Sequence, residues 1–134
     1  MTRHAVGIVV ASLALLTACG SSEPEEGADA PAAAAGGSSV LIGTVGTPDD
    51  PEAFEIALTT QDGQPVTTLP AGDYTIEVDD PSVMHNFHLV GGSVDETTSV
   101  PEKEQTTFTV TLGAGEYTYT CDPHPSMTGT FTVT

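Results

Sequence analysis

From residue 40 onward, apolar side chains recur at every second position in short runs. Val40-Leu41-Ile42-Gly43-Thr44-Val45 reads as one strand. Phe54, Ile56 and Leu58 alternate with polar neighbours and predict a second, followed by an Asp62-Gly63 turn. Tyr74, Ile76 and Val78 alternate after Pro70-Ala71-Gly72, and Asn86 to Val90 is closed by Gly91-Gly92. Phe108, Val110 and Leu112 lead into a Gly113-Ala114-Gly115 turn, then Tyr117, Tyr119 and Cys121 alternate, and Phe131 and Val133 close the chain. No window keeps a 3.6-residue period for three turns. Short alternating strands divided by Gly and Pro turns predict an all-β sandwich. Residues 40–134 are enough for one modest core. Two stretches look alike, Leu69-Pro-Ala-Gly-Asp-Tyr-Thr-Ile-Glu-Val and Leu112-Gly-Ala-Gly-Glu-Tyr-Thr-Tyr-Thr-Cys. They read as one turn-plus-strand solution used twice.

The N-terminus follows other rules. Ala5 to Leu16 is apolar except for Ser12. A spanning helix needs about 20 residues, so this run is too short to cross a membrane, but it suits the apolar region of a secretory signal. Leu16-Thr17-Ala18-Cys19 follows and resembles the lipobox of bacterial lipoproteins. The resemblance implies cleavage before Cys19 and lipid attachment to it. The sequence therefore divides into a signal peptide over 1–18, a lipidated Cys19 with an acidic Ala/Gly/Ser tether to 39, and a domain over 40–134. A random-coil tether of that length reaches about 25 Å. The mature protein is expected outside the cytoplasm, anchored to the cell membrane.

Charge narrows the function classes. The 134 residues carry 19 Asp+Glu against 2 Lys+Arg, a formal net charge of −17. Without a basic surface there is nothing to displace counterions from phosphates, which excludes nucleic acid as a partner. Hydrophobic content of 38 % with only 16 % charged residues argues against wholesale disorder. Fifteen acidic residues and one lysine fall in 40–134, a formal −14. Such a field suits encounter with a cationic redox partner; a generally acidic host environment explains it equally. The Asp49-Asp50 and Asp79-Asp80 pairs are weak candidates for a Ca²⁺ site.

The chemistry gathers near the C-terminus. Cys121-Asp122-Pro123-His124-Pro125-Ser126-Met127 places a thiol, an imidazole and a thioether within seven residues. The chain has two cysteines, and the plain reading is a disulfide. If Cys19 carries lipid, Cys121 has no partner, and a lone thiol outside the cytoplasm is an oxidation hazard unless buried or bound. Soft sulfur with imidazole suits copper better than Mg, Ca or Mn, and His₂Cys with a weak axial Met is the blue-copper arrangement. One more ligand is needed, and Val83-Met84-His85-Asn86-Phe87-His88 supplies candidates.

These residues resemble the cupredoxin family, especially its small plastocyanin- and amicyanin-like members. His85-Asn86 resembles the family's first-ligand pair, and Tyr117-Thr-Tyr119-Thr-Cys121 with the loop to Met127 resembles its second ligand motif. The resemblance implies a Greek-key sandwich of seven or eight strands holding one copper ion that cycles between Cu(I) and Cu(II). It implies His85, Cys121 and His124 as strong ligands and Met127 as the axial one. It also implies that Asn86 ties the two ligand loops together and that the edge of His124 carries electrons. Ser126 departs from the pattern, standing where amicyanin-like loops carry a bulky apolar residue. His88 is expected to be structural or at the surface, and Met84 core or site rim.

The expected function is a monomeric one-electron carrier at the outer face of a membrane, exchanging electrons with protein donors and acceptors, and not an enzyme. The alternative is a copper-binding or copper-delivery lipoprotein that passes no electrons, with the same ligands or a subset of them; Met84, His88 and Met127 together could also make such a carrier. A third reading is a metal-free sandwich.

Overall fold

The computed structural model describes residues 39–134. The expected signal peptide, Cys19 and all of the expected tether except Ser39 lie outside the described residues. Nine strands form: β1 Ser39–Val45, β2 Ile56–Thr60, β3 Thr68–Leu69, β4 Gly72–Asp80, β5 His88–Gly91, β6 Val94–Thr97, β7 Glu104–Leu112, β8 Gly115–Cys121 and β9 His124–Val133. The described residues contain no helix. One sheet has the order β2-β1-β4-β7 and the other β3-β9-β8-β5-β6. β1 runs parallel to β4 and β3 parallel to β9, while the remaining pairs are antiparallel. The strand count exceeds the expected seven or eight because the short β3 and β6 extend the edges of the second sheet.

The two-residue period decides what each sheet buries. In β4, Tyr74, Ile76 and Val78 are buried, while Asp73, Thr75, Glu77 and Asp79 alternate with them on the outer side. Phe108, Val110 and Leu112 continue that inner face from β7, and Leu41 and Val45 from β1. The facing sheet contributes Leu89, Tyr117, Phe131 and Val133. Gly43 occupies an inward position of β1, where a Cβ would come within 3.0 Å of the Phe87 ring. The missing side chain is therefore what lets Phe87, fully buried and stacked on Tyr119 at 5.9 Å, enter the core.

The two similar stretches have the same local structure. The Tyr74 hydroxyl donates to the Pro70 carbonyl at 2.8 Å, and that of Tyr117 to the Gly113 carbonyl at 3.1 Å. Each is a tyrosine corner, pinning the chain four residues before the ring. One starts β4 in the first sheet and the other β8 in the second.

Two strands begin later than alternation predicts. Phe54 lies ahead of β2, in a turn closed by Glu55 N–H donating to the Ala53 carbonyl at 2.8 Å. Likewise β5 begins at His88, because the Phe87 amide is taken by the Thr98 hydroxyl at 2.7 Å and not by a neighbouring strand. Both departures fall in the segments that build the site.

Candidate metal centre

Three segments meet at one end of the sandwich: the β4–β5 connection, the β8–β9 turn, and the arm joining β1 to β2. His85 sits in the connection, Cys121 ends β8 and His124 opens β9. Cys121 pairs with His124, yet the preceding Thr120 pairs with Thr128. Pro125, Ser126 and Met127 therefore have no ladder partners on β8, and the chain bulges, with the Met127 carbonyl accepting from the Thr120 hydroxyl at 3.2 Å. Within that bulge Pro125 and Ser126 are exposed, while Met127 is buried among the apolar core residues.

His85, Cys121 and His124 form the one cluster of three metal-competent side chains among the described residues. The two Nδ1 atoms lie 2.8 Å apart, and the Cys121 Sγ is 3.6 Å from His85 Nδ1 and 3.5 Å from His124 Nδ1. The point equidistant from these atoms is about 1.9 Å from each, close to metal–imidazole bonds of about 2.0–2.1 Å and somewhat short of a metal–thiolate bond of about 2.3 Å. One first-row ion fits with only a slight opening of the triangle. His85 and Cys121 are fully buried. Asp49-Asp50 and Asp79-Asp80 belong to no such cluster among the described residues.

The orientation of His85 is chemically fixed. Its Nε2 lies 3.2 Å from the Glu52 backbone carbonyl. A carbonyl only accepts, so Nε2 carries a proton, and the ring presents Nδ1 to the other two donors. The Glu52 carboxylate reaches the same connection, accepting from the Ser82 hydroxyl at 2.7 Å and the Val83 amide at 3.2 Å. The Ser82 hydroxyl bond, working against partial desolvation and helped by the Val83 amide, holds the Glu52 carboxyl below its ordinary range. Ser82 Oγ in turn accepts from the Met84 and His85 amides. Behind it, buried Asp80 accepts from the Thr98 hydroxyl at 2.6 Å and the Ser82 amide at 3.2 Å. Burial pushes the Asp80 carboxyl up despite those two bonds.

Asn86 bridges the two ligand segments. Its Oδ1 accepts from the Asp122 amide at 2.8 Å, and its Nδ2 donates to Asp122 Oδ2 at 2.8 Å and Thr97 Oγ1 at 3.0 Å. His88 lies away from the donor triangle, with Nδ1 2.8 Å from Asp122 and Nε2 2.8 Å from Asp95. Two carboxylates facing both ring nitrogens select the imidazolium. Partial burial pulls the His88 pKa down, but the bonds to Asp122 and Asp95 outweigh it and raise it above 6.5. Desolvation opposes ionisation of Asp122 as well, yet its bonds with His88 and Asn86 lower its pKa.

Sequence reasoning missed Glu52, Ser82, Asp122 and Phe54. Phe54 is assigned by pattern to a strand, but its ring packs edge-on against His85 at 5.2 Å and His124 at 4.7 Å. Nothing in the pattern marks these residues, because their roles depend on contacts 30 or more residues away. Met84, expected in the core or at the rim, is 47 % exposed beside His85.

A cupredoxin-like domain family matches residues 9–133. No curated protein matches. Among solved structures, the copper protein rusticyanin is 18 % identical with a TM-score of 0.52, over 75 % of this chain and 80 % of its own. Reduced rusticyanin is 20 % identical with a TM-score of 0.50, over 75 % and 81 %. These likenesses support the sandwich fold. The donor chemistry of two imidazoles, a thiol and a buried thioether is consistent with a single type 1 copper ion. With its family match across nearly the whole sequence, the chain belongs to the cupredoxin family.

Proposed function

We propose that this domain is a one-electron carrier whose copper would be held by His85, Cys121 and His124, with the Met127 thioether as a fourth, weaker donor. The observation that carries the reading is the triangle of Nδ1, Nδ1 and Sγ at 2.8, 3.5 and 3.6 Å, two corners buried and the His124 corner half-buried. When bound, copper supplies the Cu(I)/Cu(II) couple. This chain's residues supply a fixed donor geometry: Glu52 orients His85, Asn86 ties the ligand segments together, and Phe54 covers the imidazoles. A site that moves little between oxidation states has little to reorganise, which favours electron exchange over substrate chemistry.

The form of the copper-delivery reading that uses Met84, His88 and Met127 gains no support from the geometry. It draws on His88, whose two ring nitrogens are occupied by Asp95 and Asp122. Within the proposal, Cys19 carries lipid, the tether holds the domain at the outer face of the cell membrane, and the chain works as a monomer. The excess of acidic residues over 40–134 speeds encounter with a cationic redox protein in a salt-dependent way.

The test is a copper titration of the protein beginning after Cys19, followed by visible absorption and electron paramagnetic resonance. One equivalent bound with an intense thiolate-to-copper band supports the carrier. Colourless uptake of Cu(I) alone, or a weak ordinary Cu(II) spectrum, overturns it in favour of delivery. Lipid labelling of the full chain against Cys19→Ser tests the anchor.

A further inference from the structure

The arm between β1 and β2 (residues 46–55) makes contacts that a simple connector does not need. It is a tightly built loop. Thr47 and Asp50 exchange backbone bonds at 2.9 and 3.2 Å, Ala53 N–H donates to the Asp50 carbonyl at 3.1 Å, and Gly46 N–H donates to the Glu55 carbonyl at 2.8 Å. The Asp50 carboxylate accepts from the Glu52 amide at 3.1 Å. Gly46 has φ of +69°, and a Cβ there would collide with the Pro51 carbonyl. Only glycine lets the chain fold back this closely. The fold-back delivers Glu52 to the β4–β5 connection, 30 residues further along the chain.

We propose that Glu52 is the positioning residue for His85, a latch that sets the ligand before any metal arrives. It has two grips. The main-chain carbonyl takes the Nε2 proton of His85 and so turns Nδ1 toward His124 and Cys121. The carboxylate takes both the Ser82 hydroxyl and the Val83 amide. Once the Ser82 hydroxyl hydrogen points at Glu52, its lone pairs are aimed at the Met84 and His85 amides, which donate to it at 2.9 and 3.0 Å. The carboxylate thereby orders three consecutive amides ending at the ligand. A neutral or shorter side chain leaves at least one of these donors without an acceptor. The consequence for metal retention rests on the copper reading above; the ordering of the connection does not.

The test uses the full-length protein in two forms. In the metal-free protein, amide hydrogen exchange at Val83, Met84 and His85 is compared for wild type, Glu52→Ala, Glu52→Gln and Glu55→Ala, together with the ring ¹⁵N spectrum of His85. Glu55 lies on the same arm with an exposed side chain, so its substitution removes equal charge without the latch. Expected is at least tenfold faster exchange at the three amides in Glu52→Ala, a smaller acceleration in Glu52→Gln, which keeps one acceptor oxygen for two donors, and none in Glu55→Ala. The β4–β7 ladder amides should be unchanged. The ring ¹⁵N spectrum should keep His85 Nε2 protonated in both Glu52 variants, because that grip is main chain and survives the substitution. In the copper-loaded form, the rate of copper loss to a chelator should rise about 10- to 100-fold, the usual scale for residues that orient a ligand. Should Glu52→Ala fail to fold, Glu52→Gln carries the comparison. Wild-type exchange at 83–85 in both Glu52 variants, or equal acceleration in Glu55→Ala, overturns the latch. If wild type takes up no copper, the carrier reading fails while the amide data still decide the latch.

Discussion

Replacing Asn86 with Ala is the sharpest probe of how the ligand segments are joined. The side chain is 3 % exposed and makes three hydrogen bonds, two of them to Asp122, which sits between Cys121 and His124. The bonds to the Asp122 amide and the Thr97 hydroxyl contribute about 1 kcal/mol each. The bond to the Asp122 carboxylate would contribute about 1.5–3 kcal/mol if buried, but that carboxylate is 52 % exposed and water replaces much of the loss. The expected cost is about 2–4 kcal/mol, a large share of a typical stability of about 5–15 kcal/mol. Urea denaturation of the metal-free protein measures it, and exchange of the Asp122 amide locates it. Asn86→Asp adds a sign test. At neutral pH it sets a carboxylate against Asp122, so it should be worse than Ala. It should recover as acidification protonates one of the pair. A loss under 0.5 kcal/mol with an unchanged Asp122 amide would refute the reasoning.

Three further outcomes are expected. Cys121→Ser should leave a folded sandwich but abolish the intense thiolate-to-copper absorption; a variant that stays blue removes Cys121 from the site. His88→Ala should leave the copper spectrum nearly intact and cost roughly 1 kcal/mol or less per ion pair, since Asp95 is 80 % exposed. Because the folded-state pKa of His88 is raised above 6.5, that cost is complete below 6.5 and vanishes as pH rises through the folded value. Urea midpoints of wild type and variant should therefore converge at alkaline pH, and a constant gap would contradict the imidazolium. Gly43→Ala forces a Cβ to within 3.0 Å of the Phe87 ring, and overpacking of this kind costs about 1–3 kcal/mol, read as a lower urea midpoint.

The strands and the Cys121–His124 pair were legible because both depend on near neighbours in the chain, whereas His85, 36 residues from Cys121, is identified through the resemblance of His85-Asn86 to the family's ligand pair. Alternation in 74–78, 108–112 and 117–121 states which face is buried, and the repeated Gly-x-Tyr segments supplied their own corners. The spacing from Cys121 to His124 sets a tight turn, so their approach is a local event. Other features were illegible for the complementary reason. Phe54 continues the alternation of Ile56 and Leu58 on paper, yet the Ala53–Glu55 bond turns the chain before the strand begins. The segment 85–87 breaks alternation altogether, with three consecutive buried residues, because each finds a side-chain or loop partner in place of a strand. His88 lies away from the donor triangle, as expected, but the carboxylates of Asp95 and Asp122 that hold it there sit on separate segments and were not legible. Glu52 and Asp122 look like two more members of an acidic surface until the fold brings their partners to them.

That contrast bears on the function itself. Gathering two imidazoles and a thiol into a largely buried triangle is unfavourable without a frame, since each gives up water and conformational freedom. Here the frame comes from outside the ligand set: Glu52 and Ser82 on one side of His85, Asp80 and Thr98 behind it, and Asn86 with Asp122 across to Cys121. A protein that hands copper on gains from ligands that swing free one at a time. A protein that passes an electron gains from ligands that stay where they are in both oxidation states. The hydrogen bonds that hold His85 and the Cys121–His124 turn favour the second behaviour, and they act on the donors independently of the ion. Loosening the frame at Glu52 or Asn86 should thus slow electron exchange and speed copper loss together, whereas altering the surface charge should change the encounter rate and leave copper retention alone.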